Sequence, residues 1–208
     1  RLPRLLLAEK LKEDCTPESI AASIRNFEEA VRSSPYDYRS WIELGRSYEQ
    51  AERLDEAERA FKHAVDLAPE YTFPQWQIGN FYLRRDRVDE AFAYLTKATE
   101  KSFVYREQVF ALAWDYFDQD PARVEQVAAD TPETRVTLAV FYSVRGAAAD
   151  ALRVWNSTPE DVRARHVPIL KNMTQRLYEK RHFREALELA RQAGIDPEAS
   201  FESISNPG

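Results

Sequence analysis

Glycine is scarce, 5 residues in 208, and the chain holds a single cysteine, Cys15. So few glycines leave few free hinges, and one thiol excludes an internal disulfide and any cysteine-built metal cluster. No stretch approaches the roughly 18 consecutive apolar residues that a membrane-crossing helix requires. An excess of basic charge is lacking too: 29 basic residues are interspersed with 35 acidic ones, for a formal net charge of -6. With no basic stripe to neutralise a run of phosphates, nucleic acid is not an expected partner. His63, His166 and His182 stand far apart, with no cysteine or second histidine at ligand spacing. There is no glycine-rich phosphate loop and no nucleophile elbow. Catalysis, a bound metal and a cofactor are therefore not expected. Adjacent acids such as Glu28-Glu29 and Asp89-Glu90 read as solvated helix faces.

What the chain does have is core material, 44% hydrophobic and 12% aromatic residues, enough to fold. Alanine, leucine, glutamate and arginine run through most segments, and these side chains lose little freedom in a helix. The sequence also repeats. Tyr48, Tyr82 and Tyr116 are each 34 residues apart, as are Leu44, Ile78 and Leu112, then Gly45, Gly79 and Ala113, and again Ala30, Ala64 and Ala98. Ala57 with Ala91 and Pro35 with Pro69 keep the same step. A fixed period of this size signals stacked supersecondary units.

Inside one unit, Trp41, Leu44 and Tyr48, then Leu54, Ala57, Phe61, Ala64 and Val65, recur at the three-and-four spacing of one helical face. Glu52-Arg53-Leu54-Asp55 reads as a polar turn between two antiparallel helices. Pro69 ends the second, since proline donates no amide hydrogen and clashes with the preceding turn. Small residues at Gly45, Ala57 and Ala64 mark where the two helices approach closely.

Trp41, Leu44, Gly45, Tyr48, Ala57, Phe61, Ala64 and Pro69 together resemble a complete tetratricopeptide repeat signature. The next unit carries Ile78, Gly79, Tyr82, Ala91, Leu95 and Ala98 in the same places, but Trp76 sits one residue late and Phe103 stands where a terminal proline would. Residues 16–101 are read as the well-matched units and 102–195 as divergent ones. In the divergent part Tyr142 follows Tyr116 by 26 residues, eight short of a period, which should shift the superhelix there. Residues 1–15 are read as an N-terminal helix or cap, with residues 2–12 as the partner of the helix that Thr16 opens. Arg1, with no methionine before it, and the abrupt stop after residues 196–208 are read as the ends of a fragment, the latter a linker toward a further region. The resemblance implies an all-α fold, a right-handed α-α superhelix of about five helix hairpins. It also implies a non-catalytic protein–protein interaction scaffold.

In such arrays the first helix of each hairpin lines the concave surface. Transferring the groove-facing positions gives Arg39, Ile42, Arg46, Glu49 and Gln50 in the first unit. The second supplies Phe73, Trp76, Asn80, Leu83 and Arg84, and the third Glu107, Phe110, Trp114, Phe117 and Asp118. The expected partner site is an aromatic floor of Phe73, Trp76, Phe110 and Trp114 around Asn80, flanked by Arg46 and Arg84, with Phe117 at its end, suited to a peptide or a partner subunit. The same rings would equally serve as packing against a neighbouring hairpin. The carboxylate-binding residues of the family's chaperone-tail receptors are absent, since Ile42, Arg46, Glu107 and Ala111 occupy those places. Recognition of a chaperone carboxy terminus is therefore not expected. The alternative reading is a structural spacer or self-association arm, a homo-oligomer driven by Leu5, Leu6 and Leu7. Cys15 is read as an ordinary thiol in a turn.

Overall fold

In the computed structural model, which describes residues 16–195, the described chain is all-helical, with twelve helices and no strand. The readings made of residues 1–15, including Leu5 to Leu7 and Cys15, and of residues 196–208 lie outside the described residues. In chain order the helices are α1 (Pro17–Ser33), α2 (Tyr38–Gln50), α3 (Leu54–Leu67), α4 (Thr72–Leu83), α5 (Val88–Thr99) and α6 (Phe103–Tyr116). They continue with α7 (Pro121–Gln126), α8 (Pro132–Arg145), α9 (Ala148–Ser157), α10 (Glu160–Arg165), α11 (Val167–Glu179) and α12 (Phe183–Gln192). The chain divides into two compact units, Arg1–Ala98 and Thr99–Gly208.

Local chemistry sets the helix starts. Thr16, Asp120 and Thr131 each precede a proline at the first helical position, and their side chains accept from backbone amides of the first turn of α1, α7 and α8. An oxygen cap satisfies an orphan donor, and proline gives up an amide that would have no partner there. At the other end of the first helix in each of four hairpins the chain closes through one repeated device. The amides of Arg53, Arg87, Ala147 and His182 donate to the carbonyls of Tyr48, Tyr82, Tyr142 and Leu177 at 2.9, 3.0, 3.0 and 2.9 Å. The residue before each, Glu52, Asp86, Gly146 or Arg181, has a positive φ of 57, 56, 83 or 65°. This is the left-handed closure that frees the chain to reverse and still satisfies the last carbonyls. The turn is tighter than the polar run Glu52 to Asp55 implied, because α3 already begins at Leu54.

In the first unit, Ile42, Phe61, Ile78, Phe81 and Tyr82 interlock around Ala57, Ala64 and Ala91, and α1 lays Ile24, Phe27 and Val31 against Leu44. The small residues do what close approach requires. A β-carbon at Gly45 would meet the Phe61 ring at 3.0 Å, and one at Gly79 would meet Leu95 at 2.6 Å. In the second unit Phe110 and Trp114 lie edge-on to Phe141 at centroid distances of 5.9 and 5.8 Å, and Trp155, Met173, Leu177 and Leu189 are fully buried. The hairpin that falls eight residues short pairs α6 with α7, a helix of only 6 residues.

Where the second full unit lacks its closing proline, arginine acts instead. Arg106, only 8% exposed, donates from Nε to the Thr99 carbonyl at 2.6 Å and from Nη2 to that of Glu100 at 2.7 Å. A cation at a helix C-terminus satisfies both the orphan carbonyls and the dipole. Its burial lowers the pKa from the ordinary arginine value.

Candidate functional site

The first helices of the two hairpins in the first unit, α2 and α4, stand side by side. The Arg84 guanidinium clasps the Glu49 carboxylate with both nitrogens, Nε at 2.8 Å and Nη2 at 2.7 Å, and Arg85 adds a longer contact at 3.6 Å. Arg46, exposed one turn earlier on α2, is held by Glu43 at 3.1 Å. On α4, Phe73, Trp76, Asn80 and Leu83 are all half-buried and follow one helical face. Asn80 donates its side-chain amide to the Trp76 carbonyl at 2.8 Å, within its own helix. Five of the predicted site residues, Arg46, Phe73, Trp76, Asn80 and Arg84, thus fall on this pair of helices. Ile42 does not face outward: it is fully buried in the core.

The other three lie in the second unit. Phe110 is fully buried and Trp114 is 7% exposed, and both rings pack on Phe141. Phe117, half-buried, lies edge-on to Tyr116 and under the Arg123 guanidinium at 4.8 Å. The two rings that were candidates for a binding floor are therefore used as packing within this unit.

Each first helix of the first unit is latched to the second helix before it. Tyr48 donates its hydroxyl to Glu28 at 2.8 Å, and Tyr82 donates to Glu58 at 3.0 Å. The turn arginine of the same hairpin covers the ring, Arg53 at 4.6 Å from the Tyr48 centroid and Arg87 at 4.4 Å from that of Tyr82. Arg87 also donates to Glu58 at 2.6 Å. The Arg87 hydrogen bond, helped by those of Lys62 and Tyr82, holds the Glu58 carboxyl down at about 2. Burial, then the hydrogen bond to the neighbouring carboxylate, pushes both Tyr48 and Tyr82 up to about 12. These tyrosines were legible as repeat positions, whereas their glutamate partners were not, because Glu28 and Glu58 are 30 residues apart and so off the period.

Glu49 and Arg84 were both expected on the lining surface, but not as a pair. Their separation of 35 residues, one period plus one, was the available signal. Among the described residues no group of three or more histidine, cysteine, aspartate or glutamate side chains could hold a metal ion, and no helix is long and apolar enough to cross a membrane.

The family model of the tetratricopeptide repeat matches residues 38–71, which are α2, α3 and the turn that follows. Superkiller protein 3 of Saccharomyces cerevisiae is 31% identical over 88 residues, 39% of this chain and 6% of that protein, so the chain spans a small part of the length of this curated relative. Among solved structures, the thermophilic TPR protein TTC0263 of Thermus thermophilus is 21% identical, with 81% of this chain and 98% of that one covered and a TM-score of 0.46. Pseudomonas aeruginosa pilF is 14% identical, with 98% and 97% covered and a TM-score of 0.47.

Proposed function

We propose that the chain, whose residues 38–71 match the tetratricopeptide repeat, holds a peptide or a partner subunit against the face that α2 and α4 share. Tetratricopeptide repeats are protein–protein interaction scaffolds, generally without catalysis of their own. What carries the reading for this face is the make-up of α4. From Thr72 to Leu83 it contains no charged residue, whereas α2 and α3 each turn a charged side to water. A helix with no charged side is ordinarily enclosed more fully than its neighbours. Here Phe73, Trp76 and Leu83 remain half-buried. Aromatic and aliphatic surface of that kind, bordered by Arg46 and Arg84 with their charges balanced by Glu43 and Glu49, suits a peptide with an apolar anchor.

The test is to select peptides from a displayed library on the intact chain and to titrate the best one against variants. Trp76→Ala and Arg46→Glu are each expected to weaken it at least tenfold with the thermal midpoint little changed. A selected peptide that binds both variants as tightly as the unsubstituted chain would place the contact elsewhere and end this reading.

A further inference from the structure

In the second unit a cavity of about 390 Å³ is lined by Trp155, Glu160, Arg163, Val167, Leu170 and Gln192, with Ala164. Its volume lies at the small end of the range of ligand pockets, roughly 300 to 1,000 Å³. We propose that it is a receptor for a carboxylate carried beside an apolar group, gripped by Arg163.

The polar wall is already arranged. The side-chain oxygen of Gln192 accepts from Trp155 Nε1 and from Arg163 Nη1, both at 3.2 Å, and its nitrogen donates to Asn156 at 2.9 Å. Gln192 is thus fixed with its oxygen toward the arginine, and the arginine is fixed by one terminal nitrogen. The edge left over is the one formed by Nε and Nη2, the pair that meets the two oxygens of a carboxylate side by side. Arg163 Nε is enclosed by protein and has no hydrogen-bond partner, and Arg163 forms no ion pair among the described residues. An enclosed donor without an acceptor is destabilising. A small rotation of the guanidinium toward an entering carboxylate would remove that cost and neutralise the charge. Glu160, the acid that also lines the cavity, is exposed and remains hydrated. The rest of the wall, Val167 and Leu170 with the Trp155 ring, is apolar and accepts the non-polar part of the ligand.

One chemistry has two sources: a ligand from outside, or the chain's own Asp196, Glu198 and Glu202, which follow α12 in sequence. The probe is N-acetyl-L-phenylalanine, with its amide as the neutral control, titrated into the intact chain while the tryptophan indole resonances are followed by NMR. Saturable binding is expected, with a dissociation constant of roughly 1 mM for a ligand of this size. The amide should bind at least tenfold more weakly, as should the acid to Arg163→Met, while Arg163→Lys falls between. If the probe saturates only in the full chain carrying Asp196→Asn, Glu198→Gln and Glu202→Gln, the receptor exists and is filled from within. Equal binding of acid and amide, indifference to Arg163, or no saturation in either chain overturns the proposal. Arg46→Glu leaves the titration unchanged, so this site and the α2–α4 face stand or fall separately.

Discussion

Gly79 shows how little room the repeat leaves at the scale of one residue. An added β-carbon would stand 2.6 and 2.7 Å from Leu95 Cγ and Cδ2 and 3.2 Å from the Ala91 carbonyl, and Leu95 is fully buried, so nothing can retreat cheaply. Gly79→Ala is expected to lower stability by about 1 to 3 kcal/mol in urea titrations, even though alanine is the better helix former by about 1 kcal/mol. The turn residues respond through the backbone instead of through packing. Gly146→Ala, at φ 83°, should cost about 1 kcal/mol, whereas Arg181→Gly, at φ 65°, should leave the melting temperature unchanged or raise it. The glycines of the close approach were legible in the sequence because their place in the period had one physical use. Gln75 was not. Trp41 donates its indole hydrogen to the Pro35 carbonyl at 2.8 Å, and one period later Gln75 donates its amide to the Pro69 carbonyl at 3.2 Å. The carbonyl needs a donor, not a tryptophan, so the displaced Trp76 looked like a defect where the hydrogen bond was in fact kept.

Between helices, the tyrosine latches add an acid-sensitive contribution to cohesion. Glu58 is held at about 2 in the folded chain against an ordinary value of 4.5. Between those two values the unfolded chain binds the proton more tightly, so stability falls with falling pH. The contribution is whole above about pH 4.5 and is lost as pH drops through 2. Urea midpoints measured from pH 5 down to pH 2 should therefore fall less steeply for Glu58→Gln than for the unsubstituted chain. A slope unchanged by the substitution would mean that other carboxylates dominate this window. The tyrosines work from the alkaline side: Tyr82, raised to about 12 from 10.0, contributes fully below pH 10 and loses its share as pH climbs through 12. The order and pairing of α2 to α5 were readable from the 34-residue period, which places the same packing residues at the same points of each hairpin. The latches were not, because a glutamate on a polar helix face carries no mark of the hydroxyl it will meet.

For the molecule as a whole, the period conveyed the architecture more fully than the binding face. Helices α4 and α6 hold apolar residues around much of their circumference, and a pattern without a polar side does not say which stripe turns inward. That is why Phe110 and Trp114, assigned to a lining surface by position, turn out as interior packing of the second unit. The joints between hairpins have a further consequence. Residues 38–71 form one full period, and the parts on either side of them share several of the contacts made across it. Were those 34 residues cut out, Asp37 would stand before Thr72 as it now stands before Tyr38. Gln75 would lie six residues after Pro35, and Tyr82 with Arg87 would face Glu28 in the manner of Tyr48 with Arg53. One seam does not match: Ser23 now meets Ser47 across a 3.0 Å hydroxyl contact and would be offered Phe81 in its place. Residues 38–71 are in this sense a removable cassette, and the Ser23–Ser47 contact is what records its place after α1.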